Sequence, residues 1–451
     1  MSTGLDAPAG PVTRVRRPVG RAAGLAAALV VVLADPAAAH QVGNGAMPAP
    51  PWLLAYLGAF AVGATALVLR SSWPRPRFAH RRPAAEGTAP PAPVGVGNLI
   101  GVVLLLLVLA AAVLGPDSGA ANIAPVAVLV VWWVGLPLAA LLLGDVMRAV
   151  NPFVGLVRIA ERTGAGSGAA GATAPTWIPA AFLFTFGWFF VAYHRPGSPR
   201  AVAVLLVLYS LAAVGAGLRW GSRWLATGEG FGALSAAVST VAPVRRSPAP
   251  AGTAALMVVW LGSVVFDAFA STPFWEDVAA DVTGWERTLR STAGLVWMTA
   301  VVAGLYLGAL AFGAWWAGRH RGEDDPGRPR DPRVVLGVAL VPVALAWFVG
   351  HDLTLLLFEG QNFIALLSDP IGRGWDLAGT ISQTVDYGLA QAAWVPWVQV
   401  TAVLGGHLAA VVISHDAALA LRRRRAASAL TTSLSVAIAA SVAMAALLVL
   451  G

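Results

Sequence analysis

The amino-acid sequence predicts an all-α, polytopic transmembrane helix bundle of about ten helices that follows a cleavable leader. Composition is the first observation behind this. Of the 451 residues, 57% are hydrophobic and 12% are charged, about half the roughly 25% charged share of a soluble domain. Over so long a chain this leaves too little polar surface to face water. The second observation is the recurrence of apolar runs that approach or exceed about 18 residues, the length that marks a membrane span. The third is where the arginines fall: all 30 basic side chains are arginine, and they collect in alternate connections between the apolar runs.

Residues 1–39 read as a signal peptide. Arg14, Arg16, Arg17 and Arg21 form its charged region, AGLAAALVVVLA its short apolar region, and Ala37-Ala38-Ala39 an A-x-A cleavage site. The mature chain then begins at His40, and 40–451 form a single transmembrane helical domain. Ten spans follow, at about 51–70, 98–115, 123–144, 178–194, 201–218, 253–270, 292–317, 334–356, 391–418 and 428–450. With His40 outside, the loops near 71–97, 145–177, 219–252, 318–333 and 419–427 lie in the cytoplasm. Counting Arg70 and Arg219 with them, those loops hold 21 of the 26 arginines beyond residue 39. The other side holds Arg195, Arg200, Arg287, Arg290 and Arg373. This is the asymmetry of the positive-inside rule, and one helix more or fewer would scramble it. The expectation is a multi-pass protein of the plasma membrane with both mature termini extracytoplasmic.

Several of the inner connections read as linkers. Residues 163–174 (TGAGSGAAGATA) are a flexible stretch, and 321–333 a charged, proline-containing one. Residues 229–242 (EGFGALSAAVSTVA) fit either a short helix on the inner membrane surface or an ordinary loop. The outer connection 357–390 is long and rich in aromatic and β-branched residues. It is expected to be ordered and to fold back over the helices like a lid.

Several function classes are excluded. No cysteine is present, which removes disulfides, thiolate metal sites and cysteine nucleophiles. The net charge of +8 belongs to topology rather than to nucleic acid. No Walker A, GxSxG, HExxH or CxxCH motif occurs, which disfavours ATP-driven transport and familiar hydrolase chemistry. No internal repeat is visible, which counts against an inverted-repeat transporter. The partners expected are the bilayer and, beyond it, another membrane subunit.

Ionisable groups inside apolar spans are costly and mark functional sites by default. His351 and Asp352 sit in WFVGHDLTLLLFEGQ, and Glu359 follows His351 by eight residues, roughly 80° away on a helical wheel. Asp267 lies in GSVVFDAFASTPFW near the outer end of another span. His407 lies inside VLGGHLAAVVISHDAAL, where the preceding glycines permit close helix approach. One reading makes an outward-facing pocket of Asp267, His351, Asp352, Glu359 and His407, with Asp369, Asp376 and Asp386 supplied by the 357–390 loop. Imidazole and carboxylate donors together suit zinc, manganese or iron, and a divalent metal ion there would activate water. Catalysis falls to His351, Asp352 and Glu359, and metal binding to His351, Asp267 and His407. The other reading makes these groups structural polar contacts, with the loop carboxylates solvated. His40 adds an α-amine and an imidazole at the mature terminus, a chelate suited to copper(II). His415-Asp416, before the arginines at 422–425, reads as an interfacial pair.

A family resemblance runs through most of the mature chain. It is carried by AHQVGNGAMPAPPWLLAY at the mature start, NPFVGLVR at 151–158 and WLATGEGFGALSAAVSTVAPV at 224–244. It continues in FDAFASTPFW at 266–275, HDLTLLLFEGQ at 351–361, SDPIGRGWDLAGT at 368–380, QTVDYGL at 383–389 and GHLAAVVISHDAAL at 406–419. In these segments the chain resembles the bacterial polytopic membrane proteins called fenitrothion hydrolases. Ala378 stands where that pattern has a phenylalanine before the glycine. The resemblance implies a membrane-bound hydrolase of phosphotriesters and assigns no catalytic residue. Two functions are therefore carried forward: a metal-dependent membrane hydrolase acting from the outer side, and a transporter or metal-handling permease using the same groups.

Overall fold

The computed structural model describes residues 47–78, 95–164, 174–243, 249–319, 331–389, 392–422 and 424–451. The expected leader 1–39, the candidate ligand His40 and the greater part of the two linkers lie outside these residues. Regular structure among the described residues is helical throughout. In chain order the helices are α1 (Pro51–Ser72), α2 (Val96–Leu114), α3 (Ile123–Leu143), α4 (Pro152–Arg162) and α5 (Ile178–Val191). Next come α6 (Pro199–Trp220), α7 (Ser222–Gly228), α8 (Gly230–Ser239), α9 (Thr253–Ala270) and α10 (Pro273–Ala279). The chain closes with α11 (Gly284–Gly318), α12 (Arg333–Leu366), α13 (Trp394–Leu421) and α14 (Arg424–Leu448). Nine of the described helices are long and apolar enough to cross a membrane: α1, α2, α3, α6, α9 and α11 to α14. They coincide with nine of the ten expected spans.

The tenth span is α5, and it is shorter than expected. It has 14 residues, about 21 Å of helix against a hydrocarbon core of about 30 Å. The amides of Ala192 and Tyr193 both return to the Trp188 carbonyl, closing the helix just before His194-Arg195-Pro196. Inter-loop contacts sort the connections into two ends. At one, Gly119 meets Gly197, Gly372 meets Pro116, and Gly451 meets Pro51. At the other, Gly252 meets Thr176 and Arg424 donates to the Arg70 carbonyl. These are called the loop end and the arginine end below.

α12 is the axis of the bundle, packed between α9 and α13, while α14 packs on α1, α11 and α13. Its residues from Val335 to Phe348 are almost all buried. Pro342 interrupts its interior hydrogen bonding, and α13 comes against that point because a Cβ on Gly406 would meet the Pro342 carbonyl oxygen at 2.5 Å. α3 widens into a π-helix over Ala127–Gly135, just before Pro137, which has no N–H to return to the preceding turn.

Two expectations change here. The segment 229–242 is helical, but α8 does not lie on a membrane surface: all ten of its residues are buried, against α3, α5, α9 and α12. Its sequence GFGALSAAVS is small and uncharged on every face, and a helix without a polar face is buried rather than interfacial. The loop at 357–390 begins ten residues late, because α12 continues to Leu366. No proline interrupts FEGQNFIALL, and the helix stops only at Ser368-Asp369-Pro370, where the residue before proline leaves the helical region. What remains is held by hydrogen bonds of its own and folds back on the last turns of α12, where the Asp386 amide donates to Gln361 Oε1 and Thr380 Oγ1 donates to the Ile364 carbonyl. Ser368 is its buried node, its hydroxyl accepting from the amides of Ala378 and Thr380, while residues 372–379 are exposed. The loop is apolar, yet Leu377 is 70% exposed and Tyr387 60% exposed, the latter with its ring centroid 5.2 Å from that of Phe358 on α12.

Candidate metal centre

The last turn of α9 and the middle of α12 bring three of the predicted residues together. His351 Nε2 lies 3.3 Å from Asp267 Oδ2. Asp352, one residue on, turns inward and is 3% exposed. One ligand atom from each of Asp267, His351 and Asp352 lies within 4.8 Å of the others. The sequence places them so for local reasons. Adjacent helical residues diverge by about 100°, so His351 faces α9 while Asp352 enters the bundle. Gly350 sets α12 close to its neighbours, since a Cβ there would meet Val449 at 2.9 Å and Val403 at 3.0 Å. Gln399 of α13, itself buried, donates to the Gly350 carbonyl at 2.8 Å, fixing the backbone beside the histidine.

Asp267 and His351 satisfy one another. Asp352 receives no hydrogen bond from any described residue. A buried carboxylate without a donor is unfavourable by several kcal/mol unless it is neutralised by a proton or a cation. Two carboxylates and one imidazole suit a divalent ion: with neutral histidine the ligands carry two negative charges, which the ion cancels in a low-dielectric site. The cluster thus has the composition of a divalent-metal site on a membrane-type helix bundle.

The other candidates go elsewhere. His407 is fully buried in α13, and both ring nitrogens are engaged, Nδ1 with the Val403 carbonyl at 2.6 Å and Nε2 with Ser441 Oγ at 3.1 Å. Trp347 Nε1 donates to the same Ser441 hydroxyl at 3.0 Å. All three contacts are satisfied if the hydroxyl donates to Nε2 and Nδ1–H donates to the backbone, the neutral tautomer of a core histidine. Glu359 lies two turns beyond His351, outside the cluster, and accepts from Asn362 at 3.1 Å. Asp376 accepts from the Ile381 amide and Asp386 from the Gly388 amide, both as loop turns. Asp369 accepts from the amides of Arg373 and Gly374, each at 2.7 Å. Burial works to raise its pKa, but the amides of Arg373, Gly374, Trp375 and Gly372 outweigh it and hold the carboxyl below its ordinary 3.8. His415 and Asp416 tie down the chain after α1. Asp416 accepts from Trp73 Nε1 and from the amides of Arg77 and Phe78, and His415 Nε2 meets the Trp73 carbonyl.

One buried carboxylate was not anticipated. Glu229 has no exposed surface and caps α8, accepting from the amides of Phe231 and Gly232, from Tyr209 at 2.7 Å and from Asn151 at 2.9 Å. Four donors saturate it and leave no room for a cation, so it anchors α8. A glutamate between two glycines ahead of an apolar run was its only sequence signal, that of an acceptor at a helix N-terminus.

Comparison of the chain with protein-family models, with curated proteins and with solved structures finds no match. Fold and site by themselves define the class: a polytopic helix-bundle membrane protein carrying a partly buried Asp/His/Asp cluster able to coordinate a metal.

Proposed function

We propose that this chain is a membrane-embedded metalloenzyme that hydrolyses phosphotriester-like substrates from the outer face of the plasma membrane. Asp267, His351 and Asp352 hold one divalent ion. The single observation that carries the reading is Asp352, a carboxylate buried beside two further donors and left without a hydrogen bond. Three protein ligands leave coordination positions open, and an ion bound there supplies a water acidic enough to act as a nucleophile near neutral pH. Overall, the water oxygen bonds to phosphorus, the P–O bond to the leaving alcohol breaks, and the two water protons end on the alcohol and on the phosphodiester acid. The substrate class rests on the resemblance to fenitrothion hydrolases. The outward orientation rests on the arginine asymmetry and on depth: His351 lies roughly 27 Å of helix from the arginine end of α12, close to the far boundary of a core about 30 Å thick.

The test is release of nitrophenolate from a nitrophenyl phosphotriester by purified protein in detergent or vesicles. Turnover is expected to vanish on chelation, return with zinc or manganese, and be absent from His351→Ala. Metal-loaded protein that turns over none of it overturns the enzymatic part of the reading and leaves a metal-binding membrane protein.

A further inference from the structure

An apolar groove lies away from the metal centre. It encloses about 670 Å³ and runs between α5 and α6, with Trp285 of α11 at one end. None of Asp267, His351 and Asp352 lines it. Its wall on α5 includes Ala181, Phe182, Thr185 and Phe189, and its wall on α6 includes Val204, Leu205, Leu208 and Ala212. No charged side chain takes part.

We infer that this groove binds one acyl chain of a membrane phospholipid. The polar atoms along its middle already have partners inside the protein. Thr185 Oγ1 donates to the Ala181 carbonyl, Trp188 Nε1 to Thr292, and Tyr209 OH to Glu229. An occupant therefore finds no hydrogen bond along the groove, and only hydrocarbon loses nothing by lying there. The two ends differ from the middle. Trp177 and Trp220 line the arginine end, Tyr193 and Trp285 the loop end, and the polar tips of these four rings have no partner among the described residues. Amphipathic rings of this kind mark the headgroup levels of a bilayer, so the groove spans the hydrocarbon band. Arg219, exposed, sits 6.0 Å from the Trp220 ring centroid, a cation where a phosphate headgroup of the arginine-end leaflet would be.

Size separates this occupant from a partner helix. A helix of about 10 Å diameter running the roughly 21 Å length of α5 occupies about 1,600 Å³, more than twice the groove. The volume falls instead within the roughly 300–1,000 Å³ of small-ligand sites.

The full chain, reconstituted in phosphatidylethanolamine and phosphatidylglycerol vesicles doped with a phosphatidylglycerol carrying a mid-chain diazirine, is irradiated and mapped by peptide mass spectrometry. Label is expected to concentrate on 181–189 and 204–212, at least threefold above the open lipid face at Leu106 and Leu107, which are 57% and 59% exposed. Ala212→Trp should lower groove labelling at least threefold without changing labelling at Leu106 and Leu107. Equal label density on groove and open face in the wild-type protein overturns the inference. So does a groove without label in a preparation that yields cross-linked protein pairs, which would mean that a protein covers it.

Discussion

His351 and His407 both lie within apolar helices, and their surroundings separate them. Each ring nitrogen of His407 has a partner, so removing the ring strands Ser441 and Trp347 in the core. His407→Ala is expected to cost about 1–3 kcal/mol of stability from the unpaired groups alone, read as a lower midpoint of thermal unfolding, with metal content unchanged. Asp352→Asn tests the opposite situation. It removes a buried charge that no donor compensates, so metal affinity should fall at least tenfold while the midpoint holds or rises. A large loss of stability with metal retained would make Asp352 a structural residue. Asp369 gives a pH test. Its carboxyl is held below 3.8, so its contribution to loop order is fully present above the unfolded value and is lost as pH falls through the lower folded value. Protection of the Arg373 and Gly374 amides from hydrogen exchange, relative to their intrinsic rates, should be lost only below the ordinary aspartate range; loss beginning at pH 5 to 6 would contradict this. Much of the centre was legible at this scale, because an ionisable pair such as His351-Asp352 in an apolar run is expensive wherever it sits. The partner of His407 was not legible: Ser441 is 34 positions away in sequence, and its hydroxyl carries no pattern.

At the scale of elements, spans were legible wherever an apolar run was long, and less so where packing decided the outcome. α8 and a surface helix share a short apolar pattern, and the lack of a polar face together with the fully buried set of neighbours separates them. α12 outran its expected end because hydropathy falls at Glu359, Gln361 and Asn362 while nothing there breaks a helix. Glu229 is the residue on which α8 depends. Glu229→Ala removes its helix cap, about 0.5–2 kcal/mol, and leaves Tyr209 and Asn151 unpaired, about 1–3 kcal/mol more. The expected result is a protein that unfolds at clearly lower temperature yet keeps its metal in the folded fraction. Loss of metal with unchanged stability would show Glu229 acting on the centre instead.

At the scale of the whole molecule, the contacts of Gly451 with Pro51 and of Gly372 with Pro116 place the start of α1, residue 451 and the turn at Gly372 at one end of the bundle. In the topology proposed from the arginine bias, that end lies outside the cell. The chain has no cysteine, so single cysteines report topology cleanly. Ser382→Cys should react with a membrane-impermeant reagent in intact cells and Thr163→Cys only after lysis; the reverse pattern would invert the molecule. The proposed function depends on one centre, and its occupancy is what can be measured most directly. Protein purified from membranes, exchanged against trace divalent ions and analysed by mass spectrometry for metal, should retain close to one zinc, manganese or iron per chain. His351→Ala and Asp352→Asn, equally folded, should retain less than a tenth of that. A wild-type protein that retains no divalent ion under these conditions, or variants that retain as much as wild type, would contradict the account.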